Sequence, residues 1–247
     1  MKRLLTCGLC ISLIMLLPVS LMAAGYIADG DKAYAGGGLD GYKQAIALYE
    51  KALAETPDSY EANWKCARAY REYGNEAKSQ KIAGWKDICA QYGKTGMQYA
   101  QKATELEPNK ADGHYYYGLN VGIYSDGVSI FTALSEGLKD KTQTSFEKAY
   151  EVDKMYKEAG PMLSLGRFWA VLPWPMRDRK KSLQYYREYQ ATKYFADSLE
   201  AHFYIGEVLY QIGGDKNKAE AKGLLEKAAQ SEDPFFRDKA QELLKKL

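Results

Sequence analysis

The sequence predicts an all-α fold: a solenoid of four to five antiparallel helical hairpins with elongated second helices. Three observations carry it. A small residue, a large one four positions later and a small one three later recur five times, at Ala45/Tyr49/Ala52, Gly96/Ala100/Ala103, Thr142/Phe146/Ala149, Ser182/Tyr186/Tyr189 and Ala221/Leu225/Ala228. Between them lie segments that pair a large residue with a small one and then stop at glycine: Trp64, Ala67 and Tyr70 before Gly74, then Tyr117-Gly118, Leu165-Gly166, and Ile205-Gly206 before Gly213-Gly214. Apolar residues in these stretches step by three and four, the spacing that keeps side chains on one helix face. Small residues on such a face let a neighbouring helix come close, and the large one fills the gap between the two.

Taken in order, the elements begin with residues 1–24, where Lys2 and Arg3 precede an apolar run from Leu4 to Leu17, then Pro18 and the small residues Ala23-Ala24. Charge, apolar core and small-residue exit together predict a secretory signal peptide. The remainder, 25–247, reads as one repeat domain outside the cytoplasm, periplasmic or secreted. Ala35-Gly36-Gly37-Gly38 is a flexible turn into the first good repeat helix; without a following Lys-Ser/Thr it is no phosphate loop. Residues 75–107 read as one long second helix, about 50 Å at 1.5 Å per residue, with a kink at Gly93 and Gly96 as the alternative. After the Ser125-Asp126-Gly127 turn a second long helix runs from about Ser129 to Val152. Residues 234–247 form a capping helix, whose Phe235, Phe236, Ala240 and Leu243-Leu244 cover the last apolar face.

This pattern resembles the tetratricopeptide repeat over residues 40 to 234, although the steps between the small positions 45, 96, 142, 182 and 221 all exceed the ~34 residues of that repeat. From Asn120 to Arg179 the order of a Gly-rich helix, a long helix, Gly160-Pro161 with Gly166-Arg167, Leu172-Pro173-Trp174-Pro175 and Asp178-Arg179-Lys180-Lys181 is similar to the T-component of TRAP transporters and to the regulator-of-microtubule-dynamics repeat proteins. The resemblance implies a periplasmic protein, trimeric in the T-component case, that docks a solute-binding protein. T-components carry a lipid anchor. Here Cys7 and Cys10 lack the small residue that lipidation needs upstream, so that part of the pattern is missing.

Charge narrows the function. The chain has 34 Lys+Arg and 32 Asp+Glu; loss of Lys2 and Arg3 with the leader leaves the two balanced. Nucleic-acid binding needs clustered excess positive charge, so nucleic acid is not an expected partner. The two histidines, His114 and His202, lie four residues before Gly118 and Gly206, the same repeat position, which marks them as packing residues rather than as a base or a metal ligand. No HExxH or Ser/His/Asp order accompanies them. The sequence thus predicts no enzyme, no cofactor and no metal. Cys66 and Cys89, placed on two helices turning near Gly74, fall about 9 Å apart along the axis, beyond the ~7 Å a disulfide spans, and read as buried free thiols.

In a repeat stack the first helices line the inner surface, where binding occurs. Counted from the repeat register, Trp64, Arg68, Arg71, Tyr115, Leu119, Leu163, Arg167, Phe203, Glu207 and Tyr210 project there. Trp174, beside Arg177 and Lys180, adds a candidate contact patch. Aromatics with a few arginines suit an extended peptide of a partner protein, or a small amphipathic or anionic ligand. The first gives an adaptor, the second a carrier.

Overall fold

The computed structural model describes the backbone from residue 8 and side chains from residue 21; Lys2, Arg3 and Cys7, which carry part of the signal-peptide reading, lie outside the described residues. Twelve helices and no strand occupy the described residues. The chain falls into two compact units, the first ending at Leu138 and the second running from Lys139 to Leu247.

The first unit pairs α1 (Gly8–Gly36) with α2 (Gly38–Glu55) and α3 (Tyr60–Ser79) with α4 (Trp85–Leu106); α5 (Ala111–Gly127) packs on both α3 and α4, and the short α6 (Ile130–Ser135) follows. Gly37, with φ 66°, makes the turn between α1 and α2, a backbone state that glycine adopts without steric cost. Ser59 caps α3, its hydroxyl accepting from the Ala62 amide at 3.2 Å, and so satisfies one of the helix's orphan N–H groups. The core of these hairpins is made of Ala45, Tyr49, Ala52, Ala62, Cys66 and Ala69, all with no exposure.

The second unit contains α7 (Leu138–Asp153), α8 (Tyr156–Val171), α9 (Arg179–Gln190), α10 (Leu199–Ile212), α11 (Asp215–Ala228) and α12 (Pro234–Leu244). Helices α8 and α9 form one hairpin, α10 and α11 the next. Lys157, Glu158 and Ala159 take left-handed φ of 47–62° at the start of α8, so the regular helix begins only at Gly160. Asp233 caps α12, accepting from the Phe235 amide at 2.8 Å. Phe236, Leu243 and Leu244 of α12 pack on Phe203, Leu225 and Ala228, and Ala240 is fully buried.

The joint inside the hairpins follows from the sequence pattern. A Cβ built on Gly30 would stand 2.6 Å from the Tyr49 ring, one on Gly166 2.2 Å from Tyr186, and one on Gly206 2.9 Å from Leu225. In these three hairpins the large residue of the small–large–small motif therefore sits against the glycine of the preceding first helix. Any side chain there would force the helices apart.

Several expectations about helix lengths and ends are corrected. Residues 75–107 are not one helix: α3 continues to Ser79, and Lys81, at φ 51°, closes a Schellman-type stop in which the Ile82 amide donates to the Ala77 carbonyl at 3.1 Å. Gly74 does not end α3 but lies buried inside it, where Ile123 of α5 packs at 2.6 Å from where a Cβ would be. Nor does α4 kink at Gly93 and Gly96; these glycines admit the Tyr124 backbone and the Asn120 side chain of α5. The stretch from 129 to 152 is likewise two helices, broken at Gly137 with φ 70°. The Ser125–Gly127 segment is the end of α5 rather than a turn. Residues 25–36, assigned to no repeat by the sequence pattern, belong to α1, the first helix of the first hairpin.

Candidate functional site

The position after the small residue of each first helix is occupied in turn by Asp31, Arg68, Leu119, Arg167 and Glu207. Within each unit this position carries an ion pair between successive hairpins. In the first, Arg68 Nη2 lies 3.6 Å from Asp31 Oδ1, and Asp31 also accepts from Lys65 Nζ at 2.6 Å and from the Tyr49 hydroxyl at 2.7 Å. In the second, Arg167 Nη1 donates to Glu207 Oε2 at 2.6 Å.

Aromatic rings lie against both arginines. The Arg68 guanidinium lies 3.8 Å from the Tyr34 ring centre and 5.1 Å from that of Trp64, and Trp64 stacks on Tyr116 at 6.0 Å with 7° between planes. Tyr115 meets Tyr116 edge-on at 5.4 Å. Arg167 lies 4.5 Å over Tyr204. Burial opposes the charge on Asp31, but the hydrogen bonds from Lys65 and Tyr49 outweigh it and hold the carboxyl below its ordinary range. Burial pushes the Tyr34 hydroxyl up to about 12, so it stays neutral beside Arg68. These arginines are thus already neutralised by the protein. The anionic-ligand reading needed them as spare cations.

The other predicted residues divide. Arg71 donates to both carboxylate oxygens of Glu72 at 2.7 and 2.8 Å. Leu119, Leu163 and Tyr210 are half-buried, Leu163 and Tyr210 packing on the second unit's core. Phe203 is a correction: it stands at the repeat position of Trp64 and Tyr115, yet is 1 % exposed because α12 covers it with Phe235 and Phe236. Trp174 is 87 % exposed. Sequence reasoning missed Asp31 and Tyr34, because Gly30 of α1 follows Asp29 and so lacks the large–small pair that marks the other first helices, and Tyr116 and Tyr204, which follow predicted wall residues by one position.

The histidines share a role at their common repeat position, although His114 is only half-buried. His114 Nε2 bonds the Pro108 carbonyl at 2.9 Å and His202 Nδ1 the Ser198 carbonyl at 2.7 Å. Asn63, at the same position of another hairpin, donates to the Pro57 and Ser59 carbonyls at 3.0 and 2.8 Å. Each side chain ties the start of a first helix to the loop before it. His202 is fully buried, stacked on Phe195 at 4.4 Å, and burial lowers its pKa. Cys66 and Cys89 are free and buried; Cys89 Sγ lies 3.4 Å from the Gly74 carbonyl, further along α3 than Cys66. No group of three or more His, Cys, Asp or Glu arranged to hold a metal occurs among the described residues, and none of their helices is long and apolar enough to cross a membrane.

Glycine-jointed hairpins, first helices bearing the ion-paired row and a helical cap define a helical-repeat protein of the tetratricopeptide type. The chain belongs to the family described as regulator of microtubule dynamics protein 1-3, whose model matches residues 26–247. No curated protein sequence matches it. Among solved structures it is similar to a tetratricopeptide protein of Thermus thermophilus, with 19% identity over 90% of this chain and 98% of that one at a TM-score of 0.62. It is also similar to PilF of Pseudomonas aeruginosa, with 14% identity over 92% and 90% at 0.59. A third is YrrB, described as having an unusual peptide-binding site, with 15% identity over 88% and 90% at 0.50. At these identities the likeness is one of fold.

Proposed function

We propose that this protein is exported, loses residues 1–24, and acts without catalysis as an adaptor that holds a segment of a partner protein against its first helices. The observation that supports this most is the state of Arg68: sandwiched by Tyr34 and Trp64 and paired to Asp31, it offers an aromatic surface with its charges already fixed. Such a surface suits an extended polypeptide, whose peptide groups and apolar side chains stack on rings and bond to fixed dipoles. It does not suit a free anion. Two open depressions, of about 520 and 300 Å³, lie away from this wall: one is lined by Ala23, Ala24 and Ile27 with Thr56 to Ser59 and is partly lost with residues 1–24, the other by Lys218, Ala219, Lys222, Leu244 and Leu247; that favours the adaptor over the small-ligand carrier.

The resemblance to TRAP T-components gives the reading its sharpest form: the partner is a periplasmic solute-binding protein, and the adaptor is a trimer. Isothermal titration of the mature protein with solute-binding proteins from the same periplasm tests it. Binding should weaken at least about tenfold in Trp64→Ala and Tyr115→Ala, with thermal melts unchanged. Failure of every solute-binding protein to bind ends the transport reading, and recovery of the protein from cells with residues 1–24 intact ends the export reading.

A further inference from the structure

We propose that residues 171–181 of the second unit are a separate docking surface, on which Trp174 enters an apolar pocket of a partner protein while Arg177 and Lys180 meet carboxylates at its rim. The indole is 87 % exposed, and Val171 beside it is 40 % exposed. Exposed tryptophan loses apolar contact with nothing in this chain to compensate it, and it is a residue type that dominates binding energy where interfaces have been dissected.

The loop holds it out rather than letting it swing. Pro173 and Pro175 flank it, the Met176 amide donates to the Pro173 carbonyl at 2.9 Å, Arg177 Nε donates to the Leu172 carbonyl at 2.8 Å, and the Asp178 amide donates to the Trp169 carbonyl at 3.1 Å. Leu172 anchors the start of the loop at 2 % exposure. Little order remains to be imposed when a partner binds.

Charge identifies the partner's chemistry. Asp178 caps α9, accepting from the Lys181 amide at 2.9 Å, and the first turn then carries Arg179, Lys180 and Lys181 with no acid. Cations at this end of a helix oppose its dipole, so their clustering works against stability. Lys181 lies 3.7 Å from Glu147 and over the Trp169 ring, and Arg179 bonds the neutral Gln211. Among the described residues Arg177 and Lys180 have no carboxylate partner. An acidic polypeptide would supply it. A lipid surface fits less well, because a helix or loop that enters a bilayer presents a broad apolar face, whereas here one ring stands out among cations.

This rests on the docking reading only in that the ligand is a protein, and it uses different residues. A random peptide library displayed on phage, selected on the immobilised mature protein, tests it. The expected result is enrichment of peptides with acidic residues around an apolar core, binding at least about tenfold less to Trp174→Ala and to Arg177→Glu/Lys180→Glu, while Trp64→Ala binds them normally and circular-dichroism melts are unchanged. The proposal is overturned if no peptide is enriched over the Trp174→Ala control, if the enriched peptides are not acidic or depend on Trp64 instead, or if phosphatidylglycerol vesicles rather than peptides bind through Trp174.

Discussion

Arg68 and Arg167 hold the same repeat position in the two units, and their surroundings differ. Arg68 has 11% of its side chain exposed; its acid arrives from the preceding first helix and is shared with Lys65 and Tyr49. Arg167 is 32% exposed and faces an acid from the following first helix that it does not share in this way. One backbone position thus serves two electrostatic designs. In the first unit a carboxylate holds a buried cluster together, and in the second a near-surface pair spans two hairpins. Where the charge is buried, loss of its partner leaves a desolvated ion; where it reaches water, solvent replaces the partner.

The widest test of this comparison is the joint beneath both pairs. Gly166→Val should cost about 3 kcal/mol or more and Gly30→Val somewhat less, since the added Cβ would stand 2.2 Å from Tyr186 in one case and 2.6 Å from Tyr49 in the other; urea melts measure both. Equal tolerance of valine would show that the helices do not meet where the glycines place them. Next come the pairs themselves. Asp31→Ala should cost about 2 kcal/mol after allowance for its partial exposure, and Glu207→Ala about 1 kcal/mol or less. The reverse order would overturn the contrast drawn above.

A third test compares the ties at the helix starts. Asn63→Ala loses two hydrogen bonds to the carbonyls before α3 and should cost about 1 kcal/mol, seen as a lower melting temperature. The smallest effect is a pH dependence confined to the second unit. Burial lowers the pKa of His202 in the folded state, so its contribution is present above the unfolded histidine value of about 6.5 and fades as pH falls through the folded one. Melting temperature should therefore drop between pH 7 and pH 5, and drop less in His202→Gln. An unchanged slope in that variant would place the acid sensitivity elsewhere.

The hairpins were legible because their packing depends on residue size at fixed spacing. Tyr49, Tyr186 and Leu225 could be named as gap-fillers before any helix was placed. Helix ends were less legible. Gly74, Gly93 and Gly96 looked like a stop and a kink, but each is small for the sake of α5, a segment distant in sequence, and no local rule separates those two uses of glycine. The row of paired first-helix side chains was legible where it follows the register, as at Arg68, with Trp64 beside it, Arg167 and Glu207. It failed at Phe203, because register gives the direction of a side chain and not what a later helix lays over it. Asp31 and Tyr34 were missed for the opposite reason: α1 has no motif of its own and is recognised only by what it packs against.

That dependence on α1 bears on how the protein can be shortened. A truncation that starts at the first visible repeat, near residue 40, removes Asp31 and Tyr34 together. Lys65 would keep only Glu61, Arg68 would lose both its acid and a stacking ring, and the Tyr49 ring would lose the glycine surface it lies on. Domain boundaries drawn from repeat consensus alone would cut away the counter-charge of a segment they retain, and the fragment would misbehave for an electrostatic reason that no inspection of its own residues reveals.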